Sequence, residues 1–256
     1  MMISSMTRLL TLVRRRGVHK GIITCNPFLA AIESNHLLVL KQHKQPRRNF
    51  STDSNHNCWD CGKSIGCRKP HFFCPACSVI QPATLHTELS YFDTFSLDEE
   101  FKVDLRKLER KFWDLQKDLH PDKFGSKSES EKIHSADQSA HVNQGYQILK
   151  CPLRRAQYML ERKGIDALSE GGKTETDPMV LMEAMEAREL LDECLDIEGL
   201  ESMKNETRNQ IHAINAELGE RFHKNDLKGA TNLAIKLRYK MTLIQEIEKK
   251  LFEIIS

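Results

Sequence analysis

Cys58 and Cys61 form one Cys-x-x-Cys pair, Cys74 and Cys77 form a second, and twelve residues separate the pairs. Two residues between cysteines let both sulfurs of a tight turn point at one ion, and two such turns supply the four thiolates of a tetrahedral zinc site. Trp59, Gly62 after the second cysteine, Pro75 and the aromatic pair Phe72 and Phe73 are the surroundings that small zinc ribbons carry. Four cysteines leave no coordination position for water or substrate, so the expected zinc is structural. Soft thiolates accept iron or an iron-sulfur cluster in the same arrangement, and metal analysis with an absorbance spectrum separates these cases. Two disulfides or a thioredoxin-type redox pair would use the same cysteines. A reducing compartment disfavours the first, and the lack of a strand and helix pattern around the pairs disfavours the second. Cys67 and His71 lie between the pairs as substitute ligands, while Cys25, Cys151 and Cys194 are isolated.

The second group is His120, Pro121 and Asp122. Pro121 disfavours helical geometry at His120 and so ends a helix over 104–120, whose apolar positions Leu105, Leu108, Phe112, Leu115 and Leu119 recur at three and four. Arg106, Lys107, Arg110, Lys111 and Lys117 occupy its other sides. A histidine at a helix end and an aspartate in a turn are each common for local reasons. The tripeptide gains its meaning from position, between a basic helix and a returning helix at 129–149. The apolar side of that second helix is read from Ile133, Ala136, Ala140, Val142, Tyr146 and Ile148. A short helix follows Pro152.

The third group lies on a helix over 178–195, opened by Asp177 as N-cap and Pro178 as first residue. At about 100° per residue, Val180, Ala184, Ala187, Leu191 and Leu195 gather into a core stripe. Leu181, Met182 and Met185 fall on another side, mixed with Glu186, Glu189 and Glu193. Facing solvent, such a patch suits a partner with apolar and basic residues, and methionines repack readily; burial under another element is the alternative. Helices over 199–222 and 226–253 follow, the last with Leu237, Met241, Ile244, Ile247, Leu251 and Ile254 at bundle spacing. An antiparallel three-helix bundle is the simplest closure.

Composition narrows the classes. The chain has 256 residues, 29% charged and 39% hydrophobic, with a formal charge of +2, and no run reaches the roughly 18 apolar residues of a membrane span. The small net charge hides a split: residues 1–50 hold nine basic residues and only Glu33 as acid, whereas 51–256 hold 29 basic and 35 acidic. The opening block has the composition of a mitochondrial transit peptide, with a processing region near Arg47 and Arg48. Its arginine triplet interrupts the apolar core that a secretory signal needs, and a disordered basic arm is the alternative. The acidic remainder argues against nucleic acid as a partner. No nucleophile and base motif, glycine-rich phosphate loop or carboxylate set around a metal is readable, so no enzymatic activity is expected.

The aromatic opening Tyr91, Phe92 and Phe95, the basic helix, His120-Pro121-Asp122 and the returning helix resemble a J-domain, the module that docks on a heat shock protein 70 (DnaK-type) chaperone and stimulates its ATPase. The resemblance implies that Asp122 engages an arginine of the chaperone while His120 and Pro121 fix the bend. It places Arg106, Arg110, Lys111 and Lys117 on the chaperone-binding face, where a basic surface steers toward an acidic one. The loop departs from commoner J-domains by running Lys123-Phe124-Gly125-Ser126 directly into an acidic helix, which agrees with a specialised branch. A J-domain followed by a bundle that opens on Asp177-Pro178-Met179-Val180-Leu181-Met182-Glu183 is similar to the HscB-type co-chaperones of iron-sulfur cluster biogenesis. That similarity covers about residues 89–256, and the four-cysteine segment resembles the extension of the mitochondrial version in animals.

In that family the iron-sulfur cluster scaffold protein binds the patch matched by Leu181, Met182, Met185, Glu186, Glu189 and Glu193, with Tyr239 aligned to an aromatic position on the last helix through Leu237 and Arg238. The implied role is delivery of the scaffold to a mitochondrial heat shock protein 70, with recipient apoproteins beyond it, in the matrix, or in the cytoplasm where the leader is not used. A mainly α chain is thus expected: transit peptide over 1–50, four-cysteine zinc-binding segment over 55–82, J-domain over 89–167, linker over 168–176 and C-terminal three-helix bundle over 177–256. The alternative function is a zinc-dependent nucleic-acid-binding adaptor with Lys111 and Lys117 on phosphates.

Overall fold

In the computed structural model, residues 56–66, 71–86, 89–166 and 177–255 are described. The expected leader, Cys67 and the expected linker lie outside the described residues. The described part is mainly helical, with the four cysteines near its start. Strands β1 (His56–Asn57) and β2 (Ser64–Ile65) pair antiparallel, His56 opposite Ile65. A single bridge joins Phe73 and Ile80 in the same sense.

The helices begin where a side chain can answer their free amides. Ser90 and Asp93 form a reciprocal capping box on α1 (Tyr91–Thr94), and Ser128 and Glu131 do so on α3 (Glu129–Lys150). Asp104 caps α2 (Leu105–Leu119) through the amides of Arg106 and Lys107. Pro152 opens α4 (Pro152–Arg162), where its missing N–H costs nothing, and Pro178 opens α5 (Pro178–Glu193) behind the Asp177 cap. Asp196 caps α6 (Ile197–His223), and a turn through Asn225 at φ 54° leads into α7 (Leu227–Ile255).

Helices α2 and α3 form an antiparallel hairpin closed by α1 and α4. Phe92, Phe95, Leu108, Leu119, Val142, Leu149 and Leu160 fill its interior, and the same core continues into Leu218, Ala234, Ile235 and Leu237 of α6 and α7. The junction is aromatic: Phe101 stacks on Phe222 at 5.5 Å, and the Arg155 guanidinium lies 4.9 Å over the Phe101 ring. Arg155 is almost fully buried and donates to the Leu149 carbonyl at 2.9 Å. Burial pushes its pKa down to about 10, which leaves it charged at neutral pH. A second, smaller core joins Leu191 of α5, Leu200 of α6 and Leu243, Ile247 and Leu251 of α7. The hairpin and the bundle are therefore joined by packed side chains as well as by the chain.

Three readings of local periodicity are corrected. Ile133, Ala136 and Ala140 face solvent; Ser135, Gln138 and Ser139 take the inner side of α3 in its first half. Those polar groups are paired across the helices: Ser135 Oγ donates to the Leu119 carbonyl, and Ser139 and Gln116 exchange bonds of 2.9 and 3.1 Å. Leu195 lies beyond the end of α5 and is 79% exposed, because the helix stops at Glu193. Ile254 is exposed in the last turn of α7, past the reach of the neighbouring helices.

At Gly145, α3 packs directly against the rings of Tyr91 and Phe95. A Cβ there would meet the Tyr91 ring at 2.6 Å and the Phe95 ring at 3.1 Å. Both rings are fixed in the core, so Gly145→Ala should lower stability by about 1–3 kcal/mol despite the better helix propensity of alanine. A chemical-denaturation midpoint that rises on this change would contradict the packing.

Candidate functional site

Two knuckles of the same construction bring the four cysteines together. In the first, Cys58 N–H donates to Lys63 O and Gly62 N–H to Cys58 O; in the second, Cys74 N–H donates to Val79 O and Ser78 N–H to Cys74 O. Gly62 and Ser78, each four residues beyond the first cysteine of its pair, both adopt positive φ, 70° and 60°. The turn requires that conformation, and glycine meets it without steric cost while serine does not. Sγ of Cys58 lies 3.6 Å from Cys77 and Sγ of Cys61 lies 3.7 Å from Cys74, with all four sulfurs within 4.8 Å of one another. A tetrahedron of sulfurs about 2.3 Å from zinc has edges of about 3.8 Å. The donor set fits a structural metal, and the separations are far longer than a disulfide bond of about 2.05 Å.

The electrostatics agree with a cation at the centre. Burial pushes the Cys58 thiol up, but the amides of Cys61 and Asp60 outweigh it and bring it down to about 6. For Cys77 the Val79 amide pulls down, yet burial and the three neighbouring sulfurs win and raise it to about 12. Four adjacent sulfurs cannot all hold negative charge without a positive ion between them. The cluster that the segment forms by itself buries only Cys58, Ile65 and Cys74, while Ile80 and Gln81 are buried against the helical part, so the order of the knuckles would depend on coordination. His71 is half-buried and outside the cluster.

The His120-Pro121-Asp122 turn stands at the far end of α2. His120 is the last capping residue, at φ −60° and ψ 130°, and a 3₁₀ turn over Pro121–Phe124 follows. The Asp122 amide donates to His120 Nδ1 at 3.3 Å, and the Asp122 carboxylate lies 3.5 Å from the same nitrogen. The two side chains are 55% and 90% exposed, while Phe124 is buried and anchors the turn to the core. Arg106, Arg110 and Lys117 are exposed on α2; Lys111 is half-buried and donates to the Ser96 carbonyl at 3.2 Å. Trp113, which the apolar pattern passes over, is 62% exposed. Its spacing of seven from Arg106, three from Arg110 and four from Lys117 puts it in the middle of that face, and this spacing was legible in the sequence.

On α5, Leu181, Met182 and Met185 are 40%, 49% and 65% exposed, and Glu186, Glu189 and Glu193 are exposed beside them. Leu181, Met185 and Tyr239 of α7 line one groove of about 290 Å³, whereas Met182 and the three glutamates stand outside it. Ion pairs border the groove: Glu183 reaches Lys236 at 2.6 Å and the buried Lys240 at 2.8 Å, and Arg188 reaches Glu246 at 2.6 Å. Sequence reading missed these pairs, since their members lie more than fifty residues apart.

Burial pushes the Glu183 carboxyl up, but its bonds to Lys236 and Lys240 win and hold it below the usual carboxylate range. A depressed folded pKa adds stability that is present above the ordinary carboxylate value and lost as pH falls through the folded one. Glu183→Gln leaves a buried ammonium with a weaker partner. The loss expected is about 1–3 kcal/mol, below the full value for a buried pair because the carboxylate is partly solvated. Parent and variant melting temperatures should converge in acid, below the folded pKa of Glu183; an equal gap at every pH would disprove the pairing.

Comparison with known proteins agrees with this architecture. Residues 176–248 match the family model described as the HSCB C-terminal oligomerisation domain. The iron-sulfur cluster co-chaperone protein HscB homolog of Arabidopsis thaliana is 32% identical over 251 residues, spanning 94% of this chain and 95% of the relative. The crystal structure of human co-chaperone protein HscB superposes with a TM-score of 0.71 at 30% identity, covering 76% of this chain and 98% of that one. Chaperone HscB from Vibrio cholerae gives a TM-score of 0.58 at 33% identity, covering 65% and 99%. With a four-cysteine cluster, a helical hairpin that presents His-Pro-Asp and a matching C-terminal bundle, this chain belongs to the HscB family of iron-sulfur cluster co-chaperones.

Proposed function

We propose that this protein is an adaptor without chemistry of its own, which delivers an iron-sulfur cluster scaffold protein to a DnaK-type heat shock protein 70 in the mitochondrial matrix and stimulates its ATPase. The observation that carries this reading is the placement of two exposed surfaces on one packed body: the His120-Pro121-Asp122 turn at the end of α2 on the larger core, and the Leu181, Met182 and Met185 face of α5, which joins that core through Val180 and the smaller one through Leu191. Holding client and chaperone on one body raises their effective concentration. In this reading His120, Pro121, Asp122, Arg106, Arg110, Lys111 and Lys117 meet the chaperone. Leu181, Met182, Met185, Glu186, Glu189, Glu193 and Tyr239 meet the scaffold, with the groove receiving an apolar side chain between Met185 and Tyr239. The glutamates beside it suit a basic partner. Cys58, Cys61, Cys74 and Cys77 hold a structural zinc. Glu109, Asp114 and Asp118 interrupt the cations of α2, which suits a protein surface better than a phosphate backbone.

The test is a pull-down from mitochondrial extract with the full chain, with and without ATP. A DnaK-type chaperone recovered in a nucleotide-dependent way, together with a cluster scaffold recovered in both conditions, supports the reading. Recovery of neither refutes it.

A further inference from the structure

The contact between the four-cysteine segment and α3 serves neither partner surface. Gln81 is completely buried, and its Nε2 donates to Cys58 Sγ at 3.3 Å and to the Val79 carbonyl at 2.9 Å. Its main chain is held as well: the amide donates to Phe72 O at 2.8 Å, and the carbonyl accepts from Gln138 Nε2 of α3 at 2.9 Å. One turn back along α3, Ser135 Oγ donates to the Leu119 carbonyl at 2.7 Å, and Leu119 is the residue before His120. At the rim, Trp59 of the first knuckle donates Nε1 to the Ile80 carbonyl at 2.7 Å and meets the His134 ring of α3 edge-on at 5.4 Å. A continuous set of hydrogen bonds and one helical turn thus connects a ligand sulfur to the backbone of the exposed turn.

This seam is not arranged for stability alone. Gln81 Oε1, Gln138 Oε1 and His134 Nδ1 are all buried without a hydrogen-bond partner, a penalty that apolar residues of the same volume would avoid. What the two amides supply is directed N–H groups. One points at a thiolate, where outer donors orient a ligand and moderate its charge. The other points at the carbonyl of the residue that carries the first.

We propose that Gln81 is an outer-sphere positioning residue of the metal site and that, through Gln138, metal occupancy sets the order of the first half of α3 and of the His120 turn. With metal bound, the knuckles brace α3 and Ser135 holds the end of α2. Without it the knuckles, whose own core is three side chains, stop holding Gln81 through Cys58, the Gln81 bond to Gln138 weakens although Ile80 stays packed on the main core, and the turn loosens. Only the consequence for ATPase stimulation rests on the function proposed above; the coupling itself does not.

The full chain is loaded with zinc, titrated with a chelator of known affinity, and followed by amide hydrogen exchange. Zinc removal should speed exchange over residues 119–138 by at least about tenfold, with α6 and α7 little changed. Gln81→Met keeps the shape but not the donor and should weaken zinc binding by about 10- to 100-fold. Gln138→Leu should keep zinc affinity within about threefold while exchange over 119–124 no longer responds to zinc, which separates coupling from proximity. The inference is overturned if thiol titration shows the metal gone while exchange over 119–138 stays the same, or if Gln81→Met binds zinc as tightly as the parent. Stimulation of a DnaK-type ATPase separates the two failures. Equal stimulation by zinc-loaded and chelated chains sinks the consequence of the coupling for the ATPase, whereas stimulation by neither, with the exchange response intact, sinks the proposed function alone.

Discussion

Replacing His120 with glutamine should return the ATPase rate of the partner chaperone to its basal value, a loss of more than about tenfold, or about 1.4 kcal/mol of transition-state stabilisation. The side chain is 55% exposed and its polar contacts, 3.3 Å from the Asp122 amide and 3.5 Å from the Asp122 carboxylate, are local to the turn, so the fold has little to lose; a stability change within about 0.5 kcal/mol is expected. Scaffold affinity should not move, because Phe124 of the turn packs in the first core and Leu191 of α5 in the second, and distant changes add independently. Single-turnover ATP hydrolysis with a titration of the scaffold on the same preparation checks both halves. Undiminished stimulation by the variant, with the fold intact, would remove the chaperone role from this turn.

The complementary change is Leu181→Ala together with Met185→Ala. Both side chains line the groove beside Tyr239 and both are exposed in the free protein, at 40% and 65%. Truncating two central apolar anchors should weaken scaffold binding by about 2–4 kcal/mol while chaperone stimulation in the absence of scaffold persists. The outer residue Glu193 lies away from the groove, and its removal should act mainly through the salt dependence of association. Calorimetric titration at two ionic strengths distinguishes these contributions. An unchanged affinity in the double variant would mean that the scaffold does not use this groove.

Much of this was legible in the residues. Helix α2 could be read because its core residues recur at helical spacing and Pro121 stops it, and the start of α5 follows from Asp177 and Pro178; the Asp196 cap, which starts α6 at Ile197 and not at 199, is passed over by the pattern. The knuckles could be read because two Cys-x-x-Cys turns have one common use. Periodicity failed where the buried side chains are polar. Ser135, Gln138 and Ser139 do not register as an inner face, and the apolar pattern falls on the neighbouring Ile133, Ala136 and Ala140 instead. Hydropathy cannot recognise a serine or glutamine as interior until its partner is known, and the partners are Leu119, Gln81 and Gln116. Leu195 failed for a different reason: an apolar residue two positions past a helix end has no stripe to belong to.

The sequence by itself determined the donor set of the metal site, the helical character of the chain, the charge split between its first fifty residues and the rest, and the residues at the bend after α2. Those properties are local, since they depend on residue chemistry and on separations of a few positions. Tertiary structure alone decided that Tyr239 meets Leu181 and Met185 in one groove, that Lys240 is buried against Glu183, and that a cysteine ligand reaches the end of α2 through Gln81 and Gln138. Each of those contacts, the Ser135 bond to Leu119 included, joins residues 16 or more positions apart. Their geometry comes from how packed helices cross, which no local spacing encodes.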